Sequence, residues 1–175
     1  HMPVHLGSMP FSVATAIEAL NLEPGDIAML NDPFGGGTHL PDITLVTPIR
    51  VGELRKPLFY VASRAHHSDI GGAQPASMGL SEEIYQEGLR IPPVHLIRKG
   101  EINPTTMTLL LANVRTPRER EGDLTAQVAA CRLGERRLKE LARKYGISKT
   151  RFYLDALQDY SARLMKEAIA RIPDG

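Results

Sequence analysis

The run Asn31-Asp32-Pro33-Phe34-Gly35-Gly36-Gly37-Thr38-His39-Leu40-Pro41-Asp42 is the stretch from which the fold and the site are best predicted. Two carboxylates, Asp32 and Asp42, flank His39 within it. The three consecutive glycines allow positive φ angles, so the backbone can approach a ligand closely. The two prolines restrict the backbone near either end of the run. We interpret this run as one of two loops that form a divalent-metal site.

The second loop is the polar run Ser63-Arg64-Ala65-His66-His67-Ser68-Asp69-Ile70-Gly71-Gly72. Between the two runs, residues 43–49 and 58–63 are rich in β-branched and aromatic side chains, which predicts two strands. Antiparallel pairing places the start of one strand beside the end of its partner. A hairpin of these strands therefore brings the two polar runs to one edge of the sheet, where His5 would have to join them.

The donor atoms of this edge suit a divalent cation. His39 and Asp42 are three residues apart across a stiff turn, so both can face one ion. His66 and His67 are adjacent and point opposite ways in an extended chain, so we expect only one of them to bind, and we favour His67. Imidazole together with carboxylate suits Mn, Zn or Fe. Such an ion polarises a carbonyl group or activates water.

Two further carboxylates and the glycine run complete the candidate site. Asp32 and Asp69 are interpreted as additional ligands or as acceptors that fix a histidine tautomer. The glycine run lacks the lysine and the spacing of a P-loop, but its backbone amides could still cradle an anion. The residues that we expect to bind substrate or an anion are Gly35, Gly36, Gly37, Thr38 and Arg64.

The bulk composition excludes several classes of protein. The 175 residues are 42% hydrophobic and 23% charged, which is typical of one folded domain and not of a disordered chain. The formal net charge of +1 gives no sign of a nucleic-acid or membrane partner. No apolar run reaches the length of a membrane span. The single cysteine, Cys131, fits a reducing compartment, so a cytoplasmic location is expected, with the thiol as a small buried side chain.

The pattern of the whole chain predicts an α+β fold. Its core is a small, mainly antiparallel sheet, to which residues 27–30 and 94–98 add strands. Residues 1–10 are predicted to be a loop, followed by a helix over 12–21 with Ser12 as its N-cap. Residues 1–118 are expected to form a mixed region that carries the site, and 119–175 a helical hairpin whose helices cover about 123–145 and 148–171.

Four sequence runs resemble the hydantoinase B/oxoprolinase family. They are residues 31–42 and 63–72, quoted above, together with His1-Met2-Pro3-Val4-His5-Leu6-Gly7-Ser8-Met9 and Gly122-Asp123-Leu124-Thr125-Ala126-Gln127-Val128-Ala129-Ala130. The similarity extends over essentially the whole chain. Members of that family are much longer, so the chain resembles an internal fragment of one.

The resemblance implies a function and a set of site residues. The family includes ATP-dependent hydrolases of cyclic amides such as hydantoins and 5-oxoproline, in which a separate A-type subunit binds ATP and phosphorylates the substrate. It implies a divalent ion held by His39, Asp42 and His67, with Asp32, Asp69 and His66 as nearby candidates for catalysis. Two alternatives remain open: a subunit of an acetone- or acetophenone-type carboxylase, and a non-catalytic fragment that serves in subunit assembly.

Overall fold

A computed structural model describes residues 3–52 and 56–173. The chain divides into two compact units, residues 1–135 and 136–175. The predicted α+β class is confirmed: an N-terminal helix, an antiparallel sheet and C-terminal helices are all present. No helix in the described ranges is both long and apolar enough to cross a membrane.

The first unit is built on a five-stranded sheet in the order β3-β2-β1-β4-β5, in which every neighbouring pair is antiparallel. Its strands are β1 (Ile27–Leu30), β2 (Asp42–Ile49), β3 (Phe59–His66), β4 (Val94–Arg98) and β5 (Glu101–Ile102). The predicted hairpin of β2 and β3 is confirmed, and its register pairs Asp42 with His66. Strand β3 continues three residues beyond its predicted end, so Arg64 and His66 belong to the sheet.

Helices cover both faces of this sheet. They are α1 (Pro3–Ala19), α2 (Ile84–Glu87), α3 (Pro104–Ala112) and α4 (Pro117–Tyr145). Successive residues of β1 alternate between two apolar clusters, as the pleat of a strand requires. Ala28 packs with Ala16 of α1, whereas Met29 belongs to the cluster that contains Leu110 of α3 and Leu124 of α4. The sheet is thus the middle layer between α1 and the pair α3 and α4.

The prediction of a loop over residues 1–10 is wrong, because α1 begins at Pro3. Two prolines and a glycine disfavour a helix in this segment, and Pro10 lies inside it. Packing of α1 against the sheet overrides that weak local preference, as tertiary contacts commonly do. Ser12 is therefore not an N-cap: it is buried in the middle of α1, and its hydroxyl donates to the carbonyl of Gly36 at 2.6 Å.

The C-terminal helices also differ from their predicted bounds. Helix α4 starts six residues before Asp123, with Pro117 at the first helical position, where the missing N–H costs nothing. Cys131 on α4 is fully buried, as predicted, and burial raises the pKa of its thiol. The second unit consists of the end of α4, Gly146 and α5 (Ile147–Ile169). Large apolar side chains of α5, among them Tyr153 and Leu157, are exposed in the described structure.

Candidate functional site

Asp42 is the centre of the candidate site. It opens β2, is only 5% exposed, and receives side chains from three other segments. His5 Nε2 lies 3.0 Å and Thr38 Oγ1 2.9 Å from one carboxylate oxygen, and His66 Nδ1 lies 3.2 Å from the other. Burial raises the pKa of Asp42, but the hydrogen bonds from Thr38, His66 and His5 outweigh it and leave the pKa below its usual value.

The structure joins His5 and His39 to this carboxylate cluster. His5 reaches Asp42 because α1 begins at Pro3 and crosses the sheet. The prolines of this segment disfavour a helix, so the sequence did not predict this contact. The ring of His39 stacks at a tilt on the ring of His66, with 5.3 Å between centroids. The predicted meeting of the two polar runs at one sheet edge is therefore observed for His39, Asp42 and His66, together with His5.

Arg64 forms the cationic wall next to this cluster. Its Nε donates to Thr44 Oγ1 at 2.7 Å, Nη2 donates to Ser12 Oγ at 2.6 Å, and Nη1 donates to Ser8. Burial lowers the pKa of this guanidinium, and the charge of Asp42 opposes that effect. A cavity of about 740 Å³ is lined by Arg64, His5 and His66, among others. The site therefore offers one anchored cation and two imidazoles to a small molecule.

His67 makes a separate set of contacts. Its ring is 2% exposed, and Nε2 lies 2.8 Å from the side-chain oxygen of Gln127 on α4. Its other ring nitrogen, Nδ1, is buried with no hydrogen-bond partner in the described structure. Burial lowers the pKa of His67, with a partly compensating effect of Gln127, so the ring is neutral near pH 7. The backbone N–H of His67 donates to Pro41, next to Asp42.

The glycine run packs on the protein's own backbone at two of its three positions. Gly36 has a φ of +87°, and a Cβ there would lie 2.5 Å from the carbonyl carbon of Phe11 in α1. A Cβ on Gly37 would lie 2.3 Å from the carbonyl oxygen of Asn31, whereas at Gly35 the closest atom is a side-chain methyl group at 3.3 Å. Gly36 is thus required for close packing against α1 and Gly37 for the close approach of the loop to the backbone of Asn31. The predicted role of the run in holding an anion stays a prediction.

Asp32 makes structural contacts apart from the histidines. Its carboxylate accepts a hydrogen bond from the N–H of Phe34 at 3.1 Å and caps the short 3₁₀ turn at Pro33–Gly35. Its other oxygen lies 3.9 Å from Arg90. These contacts hold the shape of the glycine loop, and the proposed catalytic role of Asp32 stays a prediction.

Asp69 is buried in a polar network of its own. It is 3% exposed and accepts hydrogen bonds from the backbone N–H groups of Gly71 and Arg115 and from the Arg115 guanidinium at 2.9 Å. Burial raises the pKa of Asp69, and the bonds from Arg115 and Gly71 outweigh it, so the pKa lies below the ordinary 3.8. This carboxylate ties the segment after β3 to the start of α4, and its proposed catalytic role is untested.

Asp69→Asn is expected to lower the free energy of unfolding at pH 7 by about 1–3 kcal/mol, the usual worth of hydrogen bonds to a buried charge. A carboxyl whose pKa is depressed in the folded state stabilises it above the unfolded pKa and loses that contribution as pH falls through the folded pKa. The difference in unfolding free energy between wild type and Asp69→Asn should therefore be constant near neutral pH. It should shrink below about pH 4, which is near the pKa of an aspartate in the unfolded chain.

Urea unfolding measured from pH 7 down to pH 3 checks this expectation. Asp155→Asn is the matched control, because Asp155 is exposed and its ion pair with Arg151 on the same helix is long, at 3.9 Å. That change should stay within about 0.5 kcal/mol at every pH. A loss for Asp69→Asn that is equally small, or that grows on acidification, would contradict the role assigned to Asp69.

Gln127 is the site residue that residue chemistry did not single out. A signal was nevertheless present: Leu124, Gln127, Val128 and Cys131 follow the spacing of one helix face, and all four are buried. A polar amide on an apolar stripe needs a partner inside the fold. The side chain that it meets, His67, comes from the second polar run.

No three His, Cys, Asp or Glu side chains in residues 3–52 and 56–173 are arranged to hold a metal ion. The imidazole nitrogens of His5 and His66 instead share hydrogen bonds with Asp42. A hydrogen-bonded cluster and a metal centre would use the same lone pairs of these groups, so the two arrangements are alternatives. The ligand set expected from the sequence, His39, Asp42 and His67, is thus untested by the geometry.

The chain is similar to several known proteins. The family model described as hydantoinase B/oxoprolinase matches residues 1–175. The chain is 38% identical over 178 residues to the caprolactamase subunit beta of Pseudomonas jessenii, a match that spans 99% of this chain and 30% of that relative. It is 36% identical over 189 residues to the 5-oxoprolinase of Saccharomyces cerevisiae, spanning 98% of this chain and 14% of the relative.

Two solved structures share its fold. The crystal structure of the ATP-dependent caprolactamase from Pseudomonas jessenii matches with a TM-score of 0.86 and 36% identity, covering 99% of this chain and 30% of that chain. A nucleotide-free acetone carboxylase matches with a TM-score of 0.73 and 24% identity, covering 83% and 20%. At that identity the second match concerns the fold alone. The chain spans less than a third of the length of each of these relatives.

Proposed function

The chain belongs to the hydantoinase B/oxoprolinase family, and from this membership we propose that it is part of the B-type subunit of an ATP-dependent hydrolase that opens cyclic amides such as hydantoins or 5-oxoproline. The relatives named 5-oxoprolinase and ATP-dependent caprolactamase support this class of reaction. The relative named as subunit beta supports a partner subunit, which we take to be of the A type and to bind ATP. We place the enzyme in the cytoplasm, where Cys131 stays reduced.

The observation that carries this proposal is the convergence of His5, Thr38 and His66 on buried Asp42 beside a cavity of about 740 Å³. A cavity of that size accommodates a five- to seven-membered ring with its substituents. The same cavity presents Arg64, which two serines and Thr44 hold in one orientation. A cyclic amide in this cavity would contact Arg64, which is cationic, and the imidazoles of His5 and His66, which can carry protons.

We further propose that a divalent ion, Mn, Zn or Fe, is bound by His39, Asp42 and His67. The donor set fits such an ion chemically, since imidazole and carboxylate are ligands for all three metals. His67 adds a specific reason: it keeps a buried nitrogen that has no hydrogen-bond partner in the described structure. When bound, the ion would polarise the amide carbonyl or lower the pKa of a water molecule.

The chain's own residues have distinct roles in this proposal. Arg64 lines the cavity and its guanidinium is fixed by the serine and threonine contacts, so we assign it the binding of the carbonyl oxygen or an anionic group of the substrate. His66 carries a proton at the cavity wall and delivers it to the leaving nitrogen when the ring opens. Asp42 orients the His66 ring through Nδ1, at 3.2 Å.

The test is an activity assay on the full-length subunit combined with an A-type partner. Hydantoin, 5-oxoproline and caprolactam are supplied with ATP, and ring opening is followed together with ADP release. ATP-dependent ring opening that disappears with Arg64→Met supports the proposal. Consumption of ATP only with bicarbonate and a ketone would replace it with the carboxylase alternative. No turnover under either condition would favour a role in subunit assembly.

The third metal ligand can be identified by comparing two neighbouring variants. His67→Ala is expected to lose stoichiometric metal, whereas His66→Ala is expected to keep the metal and lose ring opening. The reason is that His66 Nδ1 lies in hydrogen-bond contact with Asp42, while His67 Nδ1 has no hydrogen-bond partner among the described residues. Elemental mass spectrometry of both purified proteins measures this directly. Metal retained in His67→Ala and lost in His66→Ala would assign the ligand to His66.

A further inference from the structure

A second cavity adjoins the cavity that Arg64 lines. Its volume is about 310 Å³, and its lining comes from β3, the two residues that follow Ala65 and one face of α4. Ser63, His66 and Ala130 line both cavities, so the two spaces meet along β3, the outermost strand of the sheet. His66 therefore stands between a space bordered by a cation and a space bordered by α4.

Four residues of α4 form one wall of the second cavity. Asp123, Ala126, Gln127 and Ala130 follow the i, i+3, i+4, i+7 spacing of a single helix face. Gln127 fixes this face to the sheet, because its amide donates to a backbone carbonyl of β2 at 3.1 Å and lies 2.8 Å from His67 Nε2. The two alanines leave room for a ligand beside the carboxylate of Asp123.

Asp123 gives this wall a negative charge. Its Oδ2 lies 2.7 Å from Arg120, and Glu119 lies 3.7 Å from the same guanidinium, so one positive charge meets two negative ones. Arg120 is buried and also donates to Ser68, which fixes the position of the Asp123 carboxylate. A carboxylate accepts several hydrogen bonds. Because Asp123 is half exposed, it can accept one more from a ligand in the cavity.

The net hydrolysis of a lactam creates two ends of opposite charge. The oxygen of water bonds to the carbonyl carbon, the C–N bond breaks, and the nitrogen gains a hydrogen. The product is an amino acid, with a carboxylate at one end and an amine that is protonated near pH 7, as in lysine, at the other. Opening of a hydantoin leaves an uncharged urea group at the nitrogen end instead.

We propose that Asp123 binds the nitrogen end of the substrate, so that the site prefers lactams to hydantoins. The inference rests on the proposed function. Arg64 and Asp123 border the spaces on either side of His66, which matches a carboxylate end, a proton donor and an amine end in that order. Asp123 accepts from the amide N–H before the ring opens and pairs with the ammonium group afterwards.

The test is a calorimetric titration of the full-length subunit with matched pairs of ligands. The ligands 4-aminobutanoate, 5-aminopentanoate and 6-aminohexanoate are each compared with the carboxylate of the same length that lacks the amine. Asp123→Asn keeps the size of the side chain and removes its charge. Glu119→Gln is the matched control, because it removes the same charge beside Arg120 at a position outside the lining of the cavity.

We expect wild type and Glu119→Gln to bind at least one amino acid about 5-fold more tightly than its amine-free counterpart, the upper end of what an exposed ion pair contributes. Asp123→Asn should lose this preference and keep its affinity for the amine-free carboxylates, which Arg64 binds. Equal affinities within every pair for wild type would overturn the proposal. A preference that survives in Asp123→Asn, or that also disappears in Glu119→Gln, would overturn it as well.

A second pair of variants leaves the contact between Asp123 and Arg120 intact. Ala126→Leu fills the cavity beside Asp123 and should abolish the preference for the amine. Ala129→Leu makes the same change at an exposed position of α4 outside this lining and should retain the preference. An unchanged preference in Ala126→Leu would contradict binding of the amine in this cavity.

The titrations and the activity assay fail separately. Ring opening by a wild-type subunit that shows no preference for amino acids would leave the hydrolase function in place and overturn the role of Asp123. A preference for amino acids in a subunit that opens no cyclic amide would support the amine-binding role and overturn the proposed reaction. Absence of binding by every ligand would overturn the role of Asp123 together with the assignment of the substrate to these cavities.

Discussion

Asp42→Asn is expected to lower the affinity for the proposed divalent ion by at least about 100-fold, the upper end of what losing an outer contact to a ligand causes. The amide keeps the size of the carboxylate but removes its charge and one of its two acceptor oxygens. His5, Thr38 and His66 would then compete for the remaining oxygen, or meet an N–H group. Metal content by elemental mass spectrometry and Zn²⁺ titration of the folded variant measure the effect.

Asp32→Asn is the matched control for this variant. Asp32 lies in the same loop and carries the same charge, but its contacts are to the N–H of Phe34 and to Arg90. Asparagine caps a helical turn about as well as aspartate does, so the loop should keep its shape. Full metal content in Asp32→Asn and almost none in Asp42→Asn is the expected pair. Equal loss in both would mean that Asp32 is a ligand as well or that the effect is one of general charge, and either result would contradict the central role assigned to Asp42.

The sheet edge could be predicted from the sequence because it depends on local signals. The β-branched runs on either side of a short turn define the hairpin of β2 and β3, and antiparallel geometry then places Asp42 opposite His66. The alternation of side chains along an extended chain also predicted that His66 and His67 point in opposite directions. In the structure one histidine binds Asp42 and the other Gln127.

The remaining parts of the site depend on packing that no local pattern encodes. Helix α1 forms despite Pro10, because the sheet supports it, and this is what carries His5 and Ser12 to the site. Asp69 has the same chemistry as Asp42, and only its neighbours, Arg115 and Gly71, distinguish a structural carboxylate from a candidate ligand. The sequence drew attention to these polar residues but could not divide them between the two hydrogen-bond networks that the structure shows.

Gly36→Ala is expected to lower the free energy of unfolding by about 2–5 kcal/mol, from the left-handed backbone penalty and the overlap with α1. The new Cβ would lie 2.5 Å from the carbonyl carbon of Phe11 and 2.7 Å from the N atom of Ser12, at a φ of +87°. Backbone atoms of a packed helix cannot yield as the end of a flexible side chain can. Such a loss is a large part of the roughly 5–15 kcal/mol by which domains are stable. Urea unfolding measures it.

Gly122→Ala is the control that isolates the cause. Apart from the neighbouring backbone of α4, no described atom lies within 4 Å of a Cβ at Gly122, which is exposed inside that helix, so alanine should raise the stability by about 1 kcal/mol. A lower stability of Gly36→Ala together with a higher stability of Gly122→Ala would show that glycine is required where the run meets α1. Because the Gly36 carbonyl accepts from Ser12, which in turn accepts from Arg64, displacement of α1 should also weaken the cavity wall. A stable Gly36→Ala variant would contradict the close approach of the loop to α1 on which this argument depends.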